Sequence, residues 1–237
     1  MKQSHEEWLE ERRKSIGGSD AAALVGMNSY TTPYMLWADK SGRMPPKEDN
    51  EAMRQGRDLE AYVAHRFCEA SGKKVHVCSQ MLRNPKYPFA HANIDRKITG
   101  ERAGLECKTT SIMNLKKFKH GEYPANYYAQ CMHYLAVTGW DRWYLAVLIL
   151  NQGFYWYTIE RDEDEIQALM DAEKDFWENY VLPDVAPAVD GLVPTDEAIK
   201  TVFPSSNSGA SVDLFGRESL INEYLATKNL IKTYEQE

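Results

Sequence analysis

The chain has 237 residues, 43% of them apolar and 27% charged, which is the make-up of an ordinary folded domain long enough to bury a sizeable core. No apolar run approaches the roughly 18 residues of a membrane span; the longest, Trp143 to Leu150, is broken by Tyr144 and stops at Asn151. The net charge of −7 does not exclude a nucleic-acid partner, because thirteen Asp or Glu fall in residues 160–200 against three Lys or Arg, leaving the remainder mildly basic.

The opening residues, Met1-Lys2-Gln3-Ser4-His5-Glu6-Glu7, lack the apolar centre of a signal peptide, so residence in the cytosol is expected. Residues 4–14 alternate charge around Trp8 and Leu9 and read as a short helix. Arg12-Arg13-Lys14 at its end is a first candidate phosphate-binding patch. Ile16-Gly17-Gly18-Ser19 reads as a flexible turn, with Ser19 the N-cap of a helix over Asp20 to Val25 that Gly26 closes. Thr32-Pro33 opens a further helix ended by Gly42, and Arg43 to Asn50 is a loop. Residues 51–71 form the clearest helix of the first half, with Leu59, Val63 and Phe67 recurring every four positions before Gly72. Glu60 lies beside that stripe, where a carboxylate needs a partner: an Arg or Lys, or a metal or metal-bound water.

Strand-like segments follow at Lys74–Val77, Gln80–Arg83 and Phe89–Ile94, and a turn over Thr99–Arg102 leads to Gly104–Thr109. Asp95 then ends one strand, and Glu106 and Lys108 lie on its hairpin partner. Two residues apart, they share one face of that strand while Cys107 faces the other way. Lys116-Lys117-x-Lys119-His120 is a second candidate basic patch. A helix over about Tyr123–Thr138 places Tyr127, Gln130, Cys131 and Tyr134 along one face. Trp143–Leu150 and Phe154–Ile159 form a hairpin, the first apolar on both faces as a central strand requires. Asp162 to Tyr180 is an acidic helix packing through Ile166, Leu169, Met170, Phe176 and Trp177. Pro183, Pro187, Pro194 and then Pro204-Ser205-Ser206-Asn207-Ser208-Gly209 break regular structure, and Arg217 to Glu237 is helical again. The domain reading is therefore a core over residues 1–182 and a linker with a C-terminal helical extension over 183–237. The four cysteines, Cys68, Cys78, Cys107 and Cys131, have no C-x-x-C pair and no His at zinc spacing, and read as free thiols.

Asp95, Glu106 and Lys108 carry the chemistry. Two carboxylates hold a hard divalent cation through oxygen, and Mg²⁺ takes one or two of them while keeping several waters. Such an ion activates water and relieves charge on a phosphodiester; an adjacent ammonium orients that water or neutralises developing charge. The carbonyl of Cys107 offers a third oxygen, Glu60 a second-ion or water contact, and Gln130 a hydrogen bond to Lys108 or to the nucleophile. Glu106 and Lys108 as a plain surface ion pair is the competing reading.

Leu105-Glu106-Cys107-Lys108-Thr109, Ala92-Asn93-Ile94-Asp95 and Tyr128-Ala129-Gln130-Cys131-Met132-His133-Tyr134 resemble the active-site motifs of the YqaJ-type viral recombinases, phage lambda exonuclease relatives within the PD-(D/E)xK nuclease superfamily. Trp8, Arg12, Ile16-Gly17-Gly18-Ser19-Asp20-Ala21-Ala22 and Ile159-Glu160-Arg161-Asp162-Glu163 resemble that family in the same order. Asn93-Ile94-Asp95 departs from it by lacking the usual proline before the aspartate. The resemblance implies an α/β restriction-endonuclease-like core, a mixed central sheet flanked by helices, with a C-terminal helical appendage. It implies a 5′-to-3′ exonuclease on linear duplex DNA, leaving a 3′ single strand for an annealing protein, and a homotrimer. Asp95, Glu106 and the Cys107 carbonyl become ligands of one or two Mg²⁺ (Mn²⁺ substituting), Lys108 the catalytic amine, Glu60 and Gln130 accessories. Arg12 and Ser19 match positions that grip a terminal 5′-phosphate, in keeping with an anion at a helix N-terminus. An endonuclease, a RecB-like single-strand nuclease and a non-catalytic DNA-end-binding module are the alternatives.

Overall fold

The structure, a computed structural model, describes residues 5–46, 48–205, 209, 211 and 213–235. Its centre is a mixed five-stranded sheet in the order β2-β5-β6-β7-β8, made of β2 (Val75–Val77), β5 (Arg96–Ile98), β6 (Ala103–Thr110), β7 (Arg142–Ile149) and β8 (Gly153–Glu160). All neighbours are antiparallel except β6 and β7, which run parallel with Glu106 opposite Leu145 and Lys108 opposite Val147. A parallel pair needs a crossover, supplied here by a 3₁₀ segment (Ile112–Phe118) and α5 (Ala125–Thr138). A second, three-stranded sheet sets β4 (Ala90–Ala92) between β1 (Ile16–Gly17) and β3 (Leu82–Arg83), with β1 and β4 parallel.

The central sheet is covered on both faces. Side chains alternate along a strand, so Ala103, Leu105 and Cys107 of β6 pack with Val63, Ala64 and Phe67 of α4 (Glu51–Ser71). Asn50 caps that helix by accepting from the Met53 amide, and Gly72 ends it at φ 71°. On the opposite face, Trp143, Leu145, Val147 and Ile149 of β7 join a larger core built with α5, α3 (Pro33–Lys40) and α6 (Glu163–Phe176). α5 is buried along its whole second half, from Ala129 to Val137, because β4 and β7 lie against it together with α2 (Gly18–Leu24) and α6. α1 (His5–Arg13) leads into β1. Among the described residues no helix is long and apolar enough to cross a membrane.

Several sequence expectations change. Ile16-Gly17 is a buried strand instead of a flexible turn: Ile16 is fully buried and its amide donates to the Phe89 carbonyl at 2.8 Å. The short strand β5 was not anticipated, so the hairpin partner of β6 is β5, and Asp95 stands at the bend between β4 and β5 instead of ending a strand. The helix after β1 starts at Gly18 with Gly17 at the cap, which puts Ser19 inside its first turn and removes the N-cap role expected of it. Residues 183–216 do not lack regular structure: α7 (Val193–Val202) packs on α3, where Thr195 Oγ1 and Thr32 Oγ1 meet at 2.7 Å. Pro194 sits in the first turn of α7, a position that tolerates proline.

The first compact unit accordingly extends to Val202. A second unit, from Phe203 onward, contains the expected C-terminal helix as α8 (Glu218–Tyr234), with Leu220, Tyr224, Leu225, Ile231 and Tyr234 exposed. Ser206 to Ser208 of the expected Pro/Ser break lie outside the described residues.

Candidate active site

β6 delivers Glu106 and Lys108 to the face of the sheet that α5 covers. Glu106 is 3% exposed, and its Oε1 accepts from Lys108 Nζ at 2.5 Å and from Gln130 Nε2 at 2.8 Å. Gln130 also donates to the Tyr134 hydroxyl at 2.8 Å, one helical turn further along α5. Glu106 Oε2 is buried with no hydrogen-bond partner. Asp95 reaches the same strand from the β4–β5 bend, where its Oδ2 accepts from the Cys107 amide at 2.7 Å. The N–H and C=O of one strand residue point to the same side, so the Cys107 carbonyl also faces Asp95 while its thiol packs under α4.

The electrostatics of the cluster follow from burial and like charge. Burial first, and then the Glu106 carboxylate, push the Asp95 carboxyl well above its ordinary range, against the pull of the Cys107 amide. Burial would lower the Lys108 ammonium, but the charge and hydrogen bond of Glu106 outweigh it and hold the lysine firmly protonated. A buried carboxylate oxygen without a donor, next to a second carboxylate that disfavours charge, is an arrangement that a cation would stabilise. Asp95, Glu106 and the Cys107 carbonyl form a hard, all-oxygen donor set of the kind Mg²⁺ accepts. Among the described residues no three His, Cys, Asp or Glu side chains gather at one metal-binding point, and Glu60 shows why. Its carboxylate is ion-paired with Arg96, whose Nη1 also donates to the Asp95 carbonyl at 2.7 Å. Glu60 therefore adjoins the cluster through an arginine that the sequence reading did not single out.

Arg12 and Ser19 also come together, with Arg12 Nη2 donating to Ser19 Oγ at 3.0 Å and the guanidinium lying 4.8 Å from the Trp8 ring centre. The rest of the first basic patch is occupied: Arg13 pairs with Asp39 and Lys14 with Glu11. Lys116, Lys117, Lys119 and His120 are exposed beyond the end of β6. The Arg12–Ser19 corner touches the carboxylate cluster through α5, since a Cβ on Gly18 would stand 2.5 Å from the Tyr134 ring.

A buried polar network beneath that corner was not foreseen. Lys40, with a side chain 2% exposed, donates to Asp20 Oδ2 at 2.7 Å and to the carbonyls of Arg12 and Ser15. Ser15 Oγ and His91 Nδ1 are 2.8 Å apart; burial and the nearby Lys40 charge depress His91 to about 3, so it is neutral. His133 Nδ1 lies 2.7 Å from Glu173 Oε1, and its Nε2 lies 2.8 Å from the His91 carbonyl. One signal was available: Glu173 falls on the apolar stripe of α6, seven residues after Ile166 and three before Phe176.

The family described as YqaJ-like viral recombinase domain matches residues 7–141. Over 99% of its length the chain is 43% identical to protein YqaJ of Bacillus subtilis (strain 168), covering 75% of that protein. Among solved structures, the alkaline exonuclease LHK-Exo from Laribacter hongkongensis aligns with a TM-score of 0.60 and 19% identity over 73% of this chain and 91% of that one. Its complex with dAMP aligns with a TM-score of 0.61. A phage-related exonuclease from Haemophilus somnus 129PT aligns with a TM-score of 0.52 and 12% identity, covering 70% and 95% of the two chains. At these identities the structural likeness carries the fold.

Proposed function

The chain belongs to the YqaJ-like viral recombinase domain family, and from that premise we propose that it is a Mg²⁺-dependent exonuclease that resects linear duplex DNA from the 5′ end. The observation that carries the reading is the Glu106 carboxylate, held by Lys108 and Gln130 on one oxygen and left without a donor on the other, beside Asp95. LHK-Exo, which shares the fold, is an alkaline exonuclease crystallised with dAMP, and this fits a nucleic-acid substrate here.

Asp95, Glu106 and the Cys107 carbonyl would hold Mg²⁺, which would supply activation of water and relief of charge on the scissile phosphate. The protein residues do the remainder. Gln130 fixes the Glu106 oxygen, and the Cys107 amide fixes Asp95, so both carboxylates are oriented before substrate arrives. Lys108 stays an ammonium and sets a positive charge where the pentavalent phosphate gains negative charge. Glu60 holds Arg96 in place instead of binding the ion directly. Arg12 and Ser19 receive the terminal 5′-phosphate, an arginine beside a hydroxyl being a fitting pair for phosphate oxygens. A homotrimer around the duplex, and delivery of the 3′ strand to an annealing protein, complete the proposal as the family resemblance implies them.

End-labelled linear duplex and closed circular plasmid, each digested with Mg²⁺ or EDTA, test it. Linear 5′-phosphorylated DNA is expected to lose nucleotides from the 5′ end only with Mg²⁺, and circles to survive; cutting of circles overturns the exonuclease assignment. Lys108→Ala is expected to slow digestion by about 10²–10³-fold or more while DNA binding persists, and unchanged activity would sink the mechanism.

A further inference from the structure

We propose that Lys40 is the positioning residue of the 5′-phosphate grip, its ammonium setting Arg12 and Ser19 in the register that receives a terminal phosphate. The inference rests on the reading of Arg12 and Ser19 given above. Lys40 is the last residue of α3, and lysine is almost never fully buried unless paired. An ammonium has three hydrogens, and here each goes to a different stretch of chain: the Arg12 carbonyl at 3.0 Å, the Ser15 carbonyl at 2.9 Å, and Asp20 Oδ2 at 2.7 Å. One cation thus joins the end of α1, the entry to β1 and the first turn of α2.

Asp20 extends the tie. Its Oδ2 also accepts from the Gly17 amide at 2.9 Å, and its Oδ1 lies 3.4 Å from Ser19 Oγ. Arg12 is therefore fixed at both ends, its carbonyl by Lys40 and its guanidinium by Ser19, while Ser19 is backed by the carboxylate that Lys40 neutralises. The site's two side chains come from separate elements seven residues apart, and a strand of only two residues, β1, joins them. Packing of α3 alone would accept an apolar residue in place of Lys40; setting the relative position of α1 and α2 requires the three-way donor.

The test compares digestion of 5′-phosphate and 5′-hydroxyl linear duplex by the full chain, by Lys40→Met and by Lys40→Gln, with kcat and KM separated and a melting curve for each. The unaltered protein is expected to favour the phosphate end on the order of ten-fold or more, as befits charge-assisted hydrogen bonds. Both variants are expected to bring the ratio of the two ends toward one, through KM for the phosphate end. Lys40→Gln keeps a polar head able to donate to a carbonyl, and gives the same reading if Lys40→Met does not fold. A folded variant that keeps the full ratio, or that slows both ends by the same factor, overturns the positioning role. An unaltered protein with no end preference overturns the Arg12–Ser19 reading instead.

Discussion

Burial alone would raise the Asp20 carboxyl, but the Lys40 ammonium and then the Arg12 guanidinium bring it down to about 2 from 3.8. A carboxyl depressed in the folded state stabilises above its unfolded value, and that stability is lost as pH falls from about 4 toward about 2. The shift corresponds to about 2 kcal/mol. Asp20→Asn is expected to remove this acid limb, and at neutral pH to cost about 3–5 kcal/mol because Lys40 is left buried and uncompensated. Urea midpoints measured from pH 2 to 7 check it, and an acid limb of unchanged slope in the variant would falsify the assignment. At this scale the sequence was legible wherever spacing implies a shared face: Glu106 with Lys108 across two strand residues, Gln130 with Tyr134 across one helical turn. It was silent on Lys40, His91 and Arg96, whose side-chain partners Asp20, Ser15 and Glu60 lie 20 or more residues away and are chosen by tertiary packing. Glu60 was legible as a carboxylate in need of a partner, and Arg96 is the partner it takes.

Helices α5 and α6 meet over a buried ion pair. His133 Nε2 faces the His91 carbonyl and its Nδ1 shares a proton with Glu173 Oε1, burial raising the Glu173 carboxyl while Glu173 raises the histidine. Burial works against charge on the ring; the Glu173 carboxylate outweighs it and holds the histidine above its usual value. Glu173→Gln is expected to destabilise by about 3–5 kcal/mol, whereas His133→Leu combined with Glu173→Met costs much less, because no lone charge remains. Urea unfolding of the three proteins decides it, and equal losses in single and double variants would refute the pairing. Long periodic elements such as α4, α5 and α6 were legible because an apolar stripe repeats over several turns. β1, β5 and α7 were not, for distinct reasons. β1 is two residues paired only through the distant β4, β5 is three residues that include Arg96 and Lys97, and α7 carries in its first turn a proline that resembles a breaker.

For the molecule as a whole, α7 belongs with the first compact unit: Thr195 is fully buried against Thr32, Ala198 is 1% exposed, and Asp184 pairs with Arg43 at 2.7 Å. A chain ending at Val202 is expected to melt within about 3 °C of the full protein, and one ending at Leu182 about 5–10 °C lower. Equal melting of the two truncations in a calorimeter would show that α7 contributes nothing. The arrangement of α5 has a consequence of another kind, one of measure. Gln130 holds the carboxylate proposed to cut, and Tyr134, one turn later, backs the glycine beside Ser19. The two residues stand about 6 Å apart in helical rise on a helix packed against β4 and β7, so a helix and not a loop ties the two proposed points. A shift of that helix would therefore be felt at both proposed points at once.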